Sequence, residues 1–305
     1  MPELPEVETV RIQLLRKVVG KTITKVEVFN RKSVAHDEHF ESRLEGKIIA
    51  NIDRIGKLMI FSFVGEDDLF LLSHFRMTGQ FFYIDKKGDV VGGGHAPQEH
   101  FRFSSRPTPE KLGRTTATDL DLPGRHTRVA FHFTDNTTLF FNDMRLFGYV
   151  KLANAKEVEH ARAGFGPEPI SPDFDCDWFA SKLRQRKTSV KAALLDQSFI
   201  AGLGNIYVDE ALWRAQVRPT RQADKVTKVE AARLCRAASD VMHESIAVGG
   251  TTFQHFKDTD GEKGNFIDHL KVFGQQGKPC ERCGYTIKKI RCAGRGTHYC
   301  PGCQK

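Results

Sequence analysis

The sequence predicts an α+β protein in three parts: a helix with a β-sandwich or barrel, a helical region, and a cysteine-rich hairpin. Three observations carry this. Apolar residues recur at helical spacing up to Val18, alternate with period two from Lys21 to Phe147, and return to helical spacing after Cys176. Five of the seven cysteines lie between Cys280 and Cys303. The chain of 305 residues is 40% hydrophobic and 28% charged, ordinary for a folded protein of two or three domains.

The first helix is expected over Pro5–Val18. Pro5 suits a first turn, Val7, Val10, Leu14 and Val18 share a face, and Gly20 stops it. Strand alternation follows in Thr22–Val28, Lys57–Phe63 and Arg128–Phe133. Asp135-Asn136 reads as a hairpin turn before Thr138–Phe141. The Lys86–Gly124 stretch is rich in Gly, Pro, Thr and charge and reads as an exposed insert. Residues 152–175, with Gly164-Phe165-Gly166-Pro167-Glu168-Pro169, read as a linker. Helices are expected over Asp177–Arg186, Ser189–Gln197, Ile206–Ala215 and Thr227–Val248. Asn205 caps the third of these. Ala231, Leu234, Ala238, Val241 and Met242 share a face of the fourth, which Gly249-Gly250 ends. The domain boundaries expected are 1–151, 152–175, 176–268 and 269–305.

Net charge is +8, which favours a polyanion such as nucleic acid. No apolar run is long enough for a membrane span, and the start lacks a signal-peptide core. A cytosolic location is expected, and there clustered cysteines suggest a metal site before disulfides. Cys280-x2-Cys283 and Cys300-x2-Cys303 offer four thiolates to one structural zinc ion, a closed site without catalysis. Cys292 has no close cysteine partner and reads as a free thiol; Cys176 and Cys235 stand alone. Lys288, Lys289, Arg291 and Arg295 make the hairpin basic, which suits a DNA probe or a solvated face equally.

Met1-Pro2-Glu3-Leu4-Pro5-Glu6 is the most informative stretch. Once Met1 is removed, Pro2 is a secondary amine at the N-terminus, where an α-amino group titrates near about 7.7–8.0. Such an amine forms Schiff bases with carbonyl carbons, and the C1′ of a sugar becomes one when its base leaves. Glu3 and Glu6 sit beside it, where a general acid is wanted. Alone, two prolines would only stiffen the entry to a helix. The Gln197–Tyr207 stretch joins two helices through Gly202-Leu203-Gly204. Its glycines and amides could cradle a phosphate that Lys187 and Lys191 neutralise, or form a plain helical hairpin.

Together these segments resemble the formamidopyrimidine-DNA glycosylase/endonuclease VIII family over nearly the whole chain. The resemblance rests on Pro2-Glu3-Leu4-Pro5-Glu6-Val7-Glu8, Lys57 in Ile55-Gly56-Lys57, His74-Phe75-Arg76-Met77-Thr78-Gly79 and Asn142-Asp143-Met144-Arg145-Leu146-Phe147-Gly148. Gly166-Pro167-Glu168-Pro169, Ala201–Tyr207 and the cysteine finger complete it. It implies a helix–two-turn–helix domain between the β-sandwich and the finger, with DNA in a basic cleft. It implies base extrusion, with Met77, Arg145 and Phe147 filling the hole. Core packing is the rival reading of these three, stronger for Phe147 than for Arg145.

By the same resemblance Pro2 attacks C1′, Glu3 assists proton transfer, Lys57 supports β-elimination and Arg295 the second elimination. Glu6 orders the site. Lys187, Lys191, Asn205 and Arg295 hold phosphates, and His126 is a further DNA contact. No redox or nucleotide cofactor is implied. Leu4-Pro5 and the Gly249–Phe266 stretch resemble the formamidopyrimidine branch, whose loop covers an extruded purine. Asn265 and Phe273 replace tyrosines often seen in the family, and Leu146 stands where a second arginine is common. The implied partner is double-stranded DNA carrying oxidised bases or abasic sites, met by a monomer in the bacterial cytoplasm. The rivals are an endonuclease VIII-like activity on oxidised pyrimidines and a non-catalytic zinc-finger protein.

Overall fold

In a computed structural model that describes residues 1–86, 90–91, 122–251 and 266–305, helix α1 runs Leu4–Val18. Val7, Val10, Leu14 and Val18 are all buried, as their spacing predicts. Two units divide the chain. The first holds Met1–Pro2, Glu6–Ala161 and Gly249–Asn265, the second Glu3–Pro5, Arg162–Val248 and Phe266–Lys305.

The first unit is a sandwich of two antiparallel sheets. One has the order β1 (Ile23–Val28), β7 (Thr127–Phe133), β8 (Thr138–Asp143), β5 (Gly79–Ile84), β6 (Val90–Val91). The other has the order β2 (Ile49–Ile55), β3 (Leu58–Phe63), β4 (Glu66–His74), β9 (Tyr149–Ala153). A short helix, α2 (Phe40–Leu44), follows β1. Both sheets and α1 share one core, in which Phe61, Phe81, Phe131 and Phe141 meet Val10 and Leu14. Strands β2, β4, β5 and β9 were not expected. Leu69–Leu72 and Phe81–Tyr83 are continuous apolar runs, so alternation does not mark them. In the β2–β3 hairpin Ile55 pairs with Leu58, leaving Gly56-Lys57 as a two-residue turn with Gly56 at φ +56. The expected Asp135-Asn136 turn is present, Asn136 lying at φ +62. The Lys86–Gly124 insert lies almost wholly outside the described residues.

Helix α3 (Ala155–Ala163), inside the stretch read as a linker, begins in the first unit and ends in the second. There follow α4 (Cys176–Leu183), α5 (Val190–Leu195), α6 (Asn205–Arg214) and α7 (Lys228–Ala247). Helix α7 begins on a capping box between Thr227 and Glu230, and the five residues expected on its apolar face are fully buried. Asn205 does not cap α6. Gly204 holds that position at φ −131, and Asn205 is the first helical residue. Strands β10 (Lys288–Cys292) and β11 (Arg295–Tyr299) close a hairpin through Ala293 and Gly294, both at positive φ, so Arg295 stands at its tip. No helix among the described residues is long and apolar enough to cross a membrane.

Cys176 and Cys235 do not stand alone: a disulfide joins α4 to α7 across a sequence separation of 59. Closing a loop of that length restricts the unfolded chain by about 4 kcal/mol in the chain-entropy account. Reduction should therefore lower the thermal midpoint of the purified protein. An identical midpoint with and without reductant would show that the bridge contributes nothing.

Candidate active site

The residues expected to act fall on both units. In the first, Pro2 is buried at the head of the chain and Lys57 is only 7% exposed despite its place in a turn. Glu6 is buried, and one carboxylate oxygen accepts from both the backbone N–H and the hydroxyl of Thr251, each at 2.8 Å. Gly250 lies at φ +86, where a Cβ would stand 3.1 Å from that oxygen. Glu6 therefore holds the root of the stretch that leaves α7. The remainder, residues 252–265 with Asn265 among them, lies outside the described residues.

His74 accepts the Arg76 backbone N–H on Nδ1 at 2.9 Å, which leaves the proton on Nε2. Burial, with the charges of Arg76 and Lys57, pushes its pKa down to about 3. It is a neutral donor throughout the physiological range.

Met77, Arg145 and Phe147 form one cluster. The Arg145 guanidinium donates to Met77 Sδ at 3.5 Å and lies 5.1 Å from the centre of the Phe147 ring. Asp143, fully buried at the end of β8, assembles the cluster. Its carboxylate accepts from the Thr78 hydroxyl, from the Arg145 N–H at 3.2 Å and from the Gly148 N–H at 2.7 Å. The loop beside Met77 and the Arg145–Phe147 loop are thus pinned to one side chain. Met77 is 40% exposed and Phe147 50%. Core packing, the rival reading of Phe147, does not describe it. His126 is partly buried and takes the Arg125 guanidinium on Nε2 at 2.8 Å.

In the second unit Glu3 is buried at the N-terminus of α6, accepting the backbone N–H groups of Ile206 at 3.0 Å and Tyr207 at 3.4 Å. The positive end of the helix favours the carboxylate there. Gly204 makes room for it, since a Cβ on Gly204 would collide with the Glu3 carboxyl. Gly202, at φ +91, makes room for Leu4 in the same way. The sequence leaves the Gly-rich turn open as a phosphate cradle or a plain helical hairpin. Its glycines instead seat Glu3 and Leu4, so the anion at this helix end belongs to the chain.

Lys191 also departs from expectation. It has no exposed surface, and its ammonium donates to Asp209 at 2.6 Å. Burial holds its pKa below the ordinary lysine value, against the pull of Asp209. A lysine so enclosed cannot take a phosphate; it neutralises Asp209, whose other oxygen accepts the His298 backbone N–H at 2.8 Å on β11. Asn205 donates its amide to the Gly296 carbonyl at 3.0 Å, beside Arg295. Lys187 and Arg295 are exposed. Glu210, invisible as a functional residue in the sequence, is buried and accepts the backbone N–H groups of Lys271, Val272 and Phe273. It anchors the chain entering the finger.

Cys280, Cys283, Cys300 and Cys303 bring their sulfurs within 4.8 Å of one another. Cys280 and Cys303 are 3.9 Å apart, Cys283 and Cys300 3.3 Å. A tetrahedron with metal–sulfur bonds of about 2.3 Å spaces sulfurs by about 3.8 Å, so the tetrad fits zinc. The Trp213 indole N–H donates to Cys280 Sγ at 3.3 Å, and the Arg282 guanidinium lies 3.8 Å from Cys303 Sγ. Both offset the charge of four thiolates. Cys292 is outside the tetrad, its sulfur 3.7 Å from the Ser189 hydroxyl.

Comparison with known proteins covers the same three regions. The Formamidopyrimidine-DNA glycosylase N-terminal domain matches residues 1–150, the Formamidopyrimidine-DNA glycosylase H2TH domain 165–257, and the Zinc finger found in FPG and IleRS 277–305. The formamidopyrimidine-DNA glycosylase of Lactiplantibacillus plantarum is 39% identical, covering 99% of this chain and 98% of its own. That of Enterococcus faecalis is 39% identical, covering 100% and 98%. Lactococcus lactis Fpg, solved in complex with DNA containing an abasic site, matches with a TM-score of 0.81 at 33% identity over 99% of each chain. A MutM structure in complex with DNA containing carbocyclic 8-oxo-G matches with a TM-score of 0.79 at 34% identity over 100% of each.

Proposed function

The chain belongs to the formamidopyrimidine-DNA glycosylase family, and on that premise we propose a bifunctional DNA glycosylase and abasic-site lyase of base excision repair. It excises oxidised purines such as 8-oxoguanine and formamidopyrimidines from double-stranded DNA, acting as a monomer. The observation that carries this is the Met77–Arg145–Phe147 cluster. Large apolar side chains that a fold leaves in solvent, gathered round one arginine, fit a gap in a base stack. Met77 and Phe147 fill the space of the extruded nucleotide while Arg145 donates to its widowed partner.

With Met1 removed, the lone pair of Pro2 attacks C1′. The C1′–base bond breaks, and the base departs with the bonding pair and a proton. Ring opening then gives an iminium, C1′=N⁺, and Glu3 moves the proton this requires. The iminium acidifies C2′–H. Loss of that proton expels the 3′ phosphate in β-elimination, which Lys57 supports. A second elimination, supported by Arg295, expels the 5′ phosphate. Lys187, Asn205 and Arg295 hold backbone phosphates, and His126 is a further DNA contact; the Asn205 amide also donates to the Gly296 carbonyl next to Arg295. Zinc, held by Cys280, Cys283, Cys300 and Cys303, supplies folding energy to the finger and no chemistry. Its place of action in this reading is the bacterial cytoplasm.

Borohydride reduction tests the proposal, because only a Schiff base becomes a stable amine between enzyme and DNA. A protein with a verified Pro2 terminus should be trapped on 8-oxoguanine and abasic-site duplexes. Absence of any adduct would falsify the mechanism. Strong preference for thymine glycol would move the substrate to oxidised pyrimidines.

A further inference from the structure

We propose that Glu8 is a positioning residue for the reaction, holding Lys57 in place through Arg54. The proposal deepens the role given to Lys57 above and rests on it. Arg54 lies near the end of β2 and is nearly buried, its side chain 6% exposed. Its Nε donates to Glu8 on α1 at 2.8 Å, and its Nη1 donates to the Gly56 carbonyl at 2.8 Å. That carbonyl belongs to the peptide unit joining Gly56 to Lys57. Arg11, one helical turn beyond Glu8, donates to the same carboxylate at 2.6 and 2.9 Å and to the Ile52 carbonyl of β2 at 3.1 Å. One carboxylate thus binds two arginines, and each arginine grips a backbone carbonyl on the strand or turn that delivers Lys57.

Burial pushes the Glu8 carboxyl up, but the hydrogen bonds and charges of Arg11 and Arg54 outweigh it and hold its pKa below the ordinary value. The brace is therefore charged at working pH. Stability alone does not account for it. A two-residue hairpin turn ordinarily needs no brace, and an apolar pair would hold strand to helix at least as well. What distinguishes this turn is its lysine, buried to 7% exposure where turn residues face water. An ammonium enclosed on so short a turn goes where the turn goes, so fixing the Gly56 carbonyl fixes its direction.

Single-turnover rates of base loss and strand scission, measured separately, test this for Glu8→Gln, Arg54→Lys, Lys57→Ala and the Glu8→Gln/Lys57→Ala pair. Arg54→Lys keeps the charge facing Glu8 but loses the fork that reaches both partners, so it serves if Glu8→Gln does not fold. Glu8→Gln and Arg54→Lys should slow the step that Lys57→Ala slows, by roughly tenfold to a hundredfold. They should slow it no further once Lys57 is gone. Glu8→Asp should recover part of the rate. If Lys57→Ala slows a step but Glu8→Gln and Arg54→Lys leave it alone, or add to Lys57→Ala in full, the brace is not positioning Lys57. If Lys57→Ala changes neither step, the role given to Lys57 fails first and takes this inference with it.

Discussion

Removing zinc, or replacing Cys280 by Ser, should unfold the finger and lower DNA affinity at least a hundredfold, while the helices and the sandwich persist. Zinc bound by four thiolates contributes about 10–16 kcal/mol in small fingers. The apolar core of this finger is small: Val272 and Ile287 with Trp213 of α6 and three of the cysteines, Cys280, Cys300 and Cys303. So small a core cannot stand alone. Lys288, Lys289, Arg291 and Arg295 lose their frame with it. Every DNA phosphate that the finger no longer neutralises takes about 0.9 from the slope of log affinity against log salt, so the slope should flatten as the affinity falls. Binding measured across salt concentrations, before and after chelation and after zinc is restored, checks both. Affinity that survives chelation intact would mean the finger does not bind DNA.

Gly204→Ala should reduce base excision by about a hundredfold or more and leave DNA affinity nearly unchanged. The backbone at Gly204, φ −131, is open to any residue, so the whole effect is steric. The new methyl would occupy the space of the Glu3 carboxyl and push it off the Ile206 and Tyr207 amides. A misplacement of about 1 Å in a reacting group commonly costs that factor. Single-turnover excision with a folding check by circular dichroism measures it. A wild-type rate would mean that Glu3 need not sit at the helix end.

The metal tetrad was legible because two Cys-x2-Cys knuckles state their chemistry in their spacing. Helices α1 and α7 were legible because each buries one regular stripe. Other features depend on distances that spacing does not encode. Glu3 meets Ile206 across a sequence separation of 203, so nothing near the Gly-rich turn in the sequence tells that the anion at its helix end is internal. Lys191 carries the same charge whether it faces solvent or Asp209, and only burial separates the two roles. Cys176 and Cys235 stand alone in the sequence, 59 residues apart; folding brings α4 against α7 and pairs them. Asp143 lies inside the Asn142–Gly148 motif, yet nothing in a lone carboxylate tells that three donors converge on it.

The cluster that Asp143 assembles has a consequence for how damage is found. Met77, Arg145 and Phe147 are gathered by contacts within the fold itself, so on the proposed role part of the entropy of ordering them is met when the chain folds. In the proposed role each base step the enzyme passes meets the same preassembled probe. The protein's share of the insertion energy is then constant along the duplex, and what varies is the ease with which each pair unstacks. On that role lesion search is a measurement of local DNA mechanics, and chemical recognition of the base begins only where the helix yields.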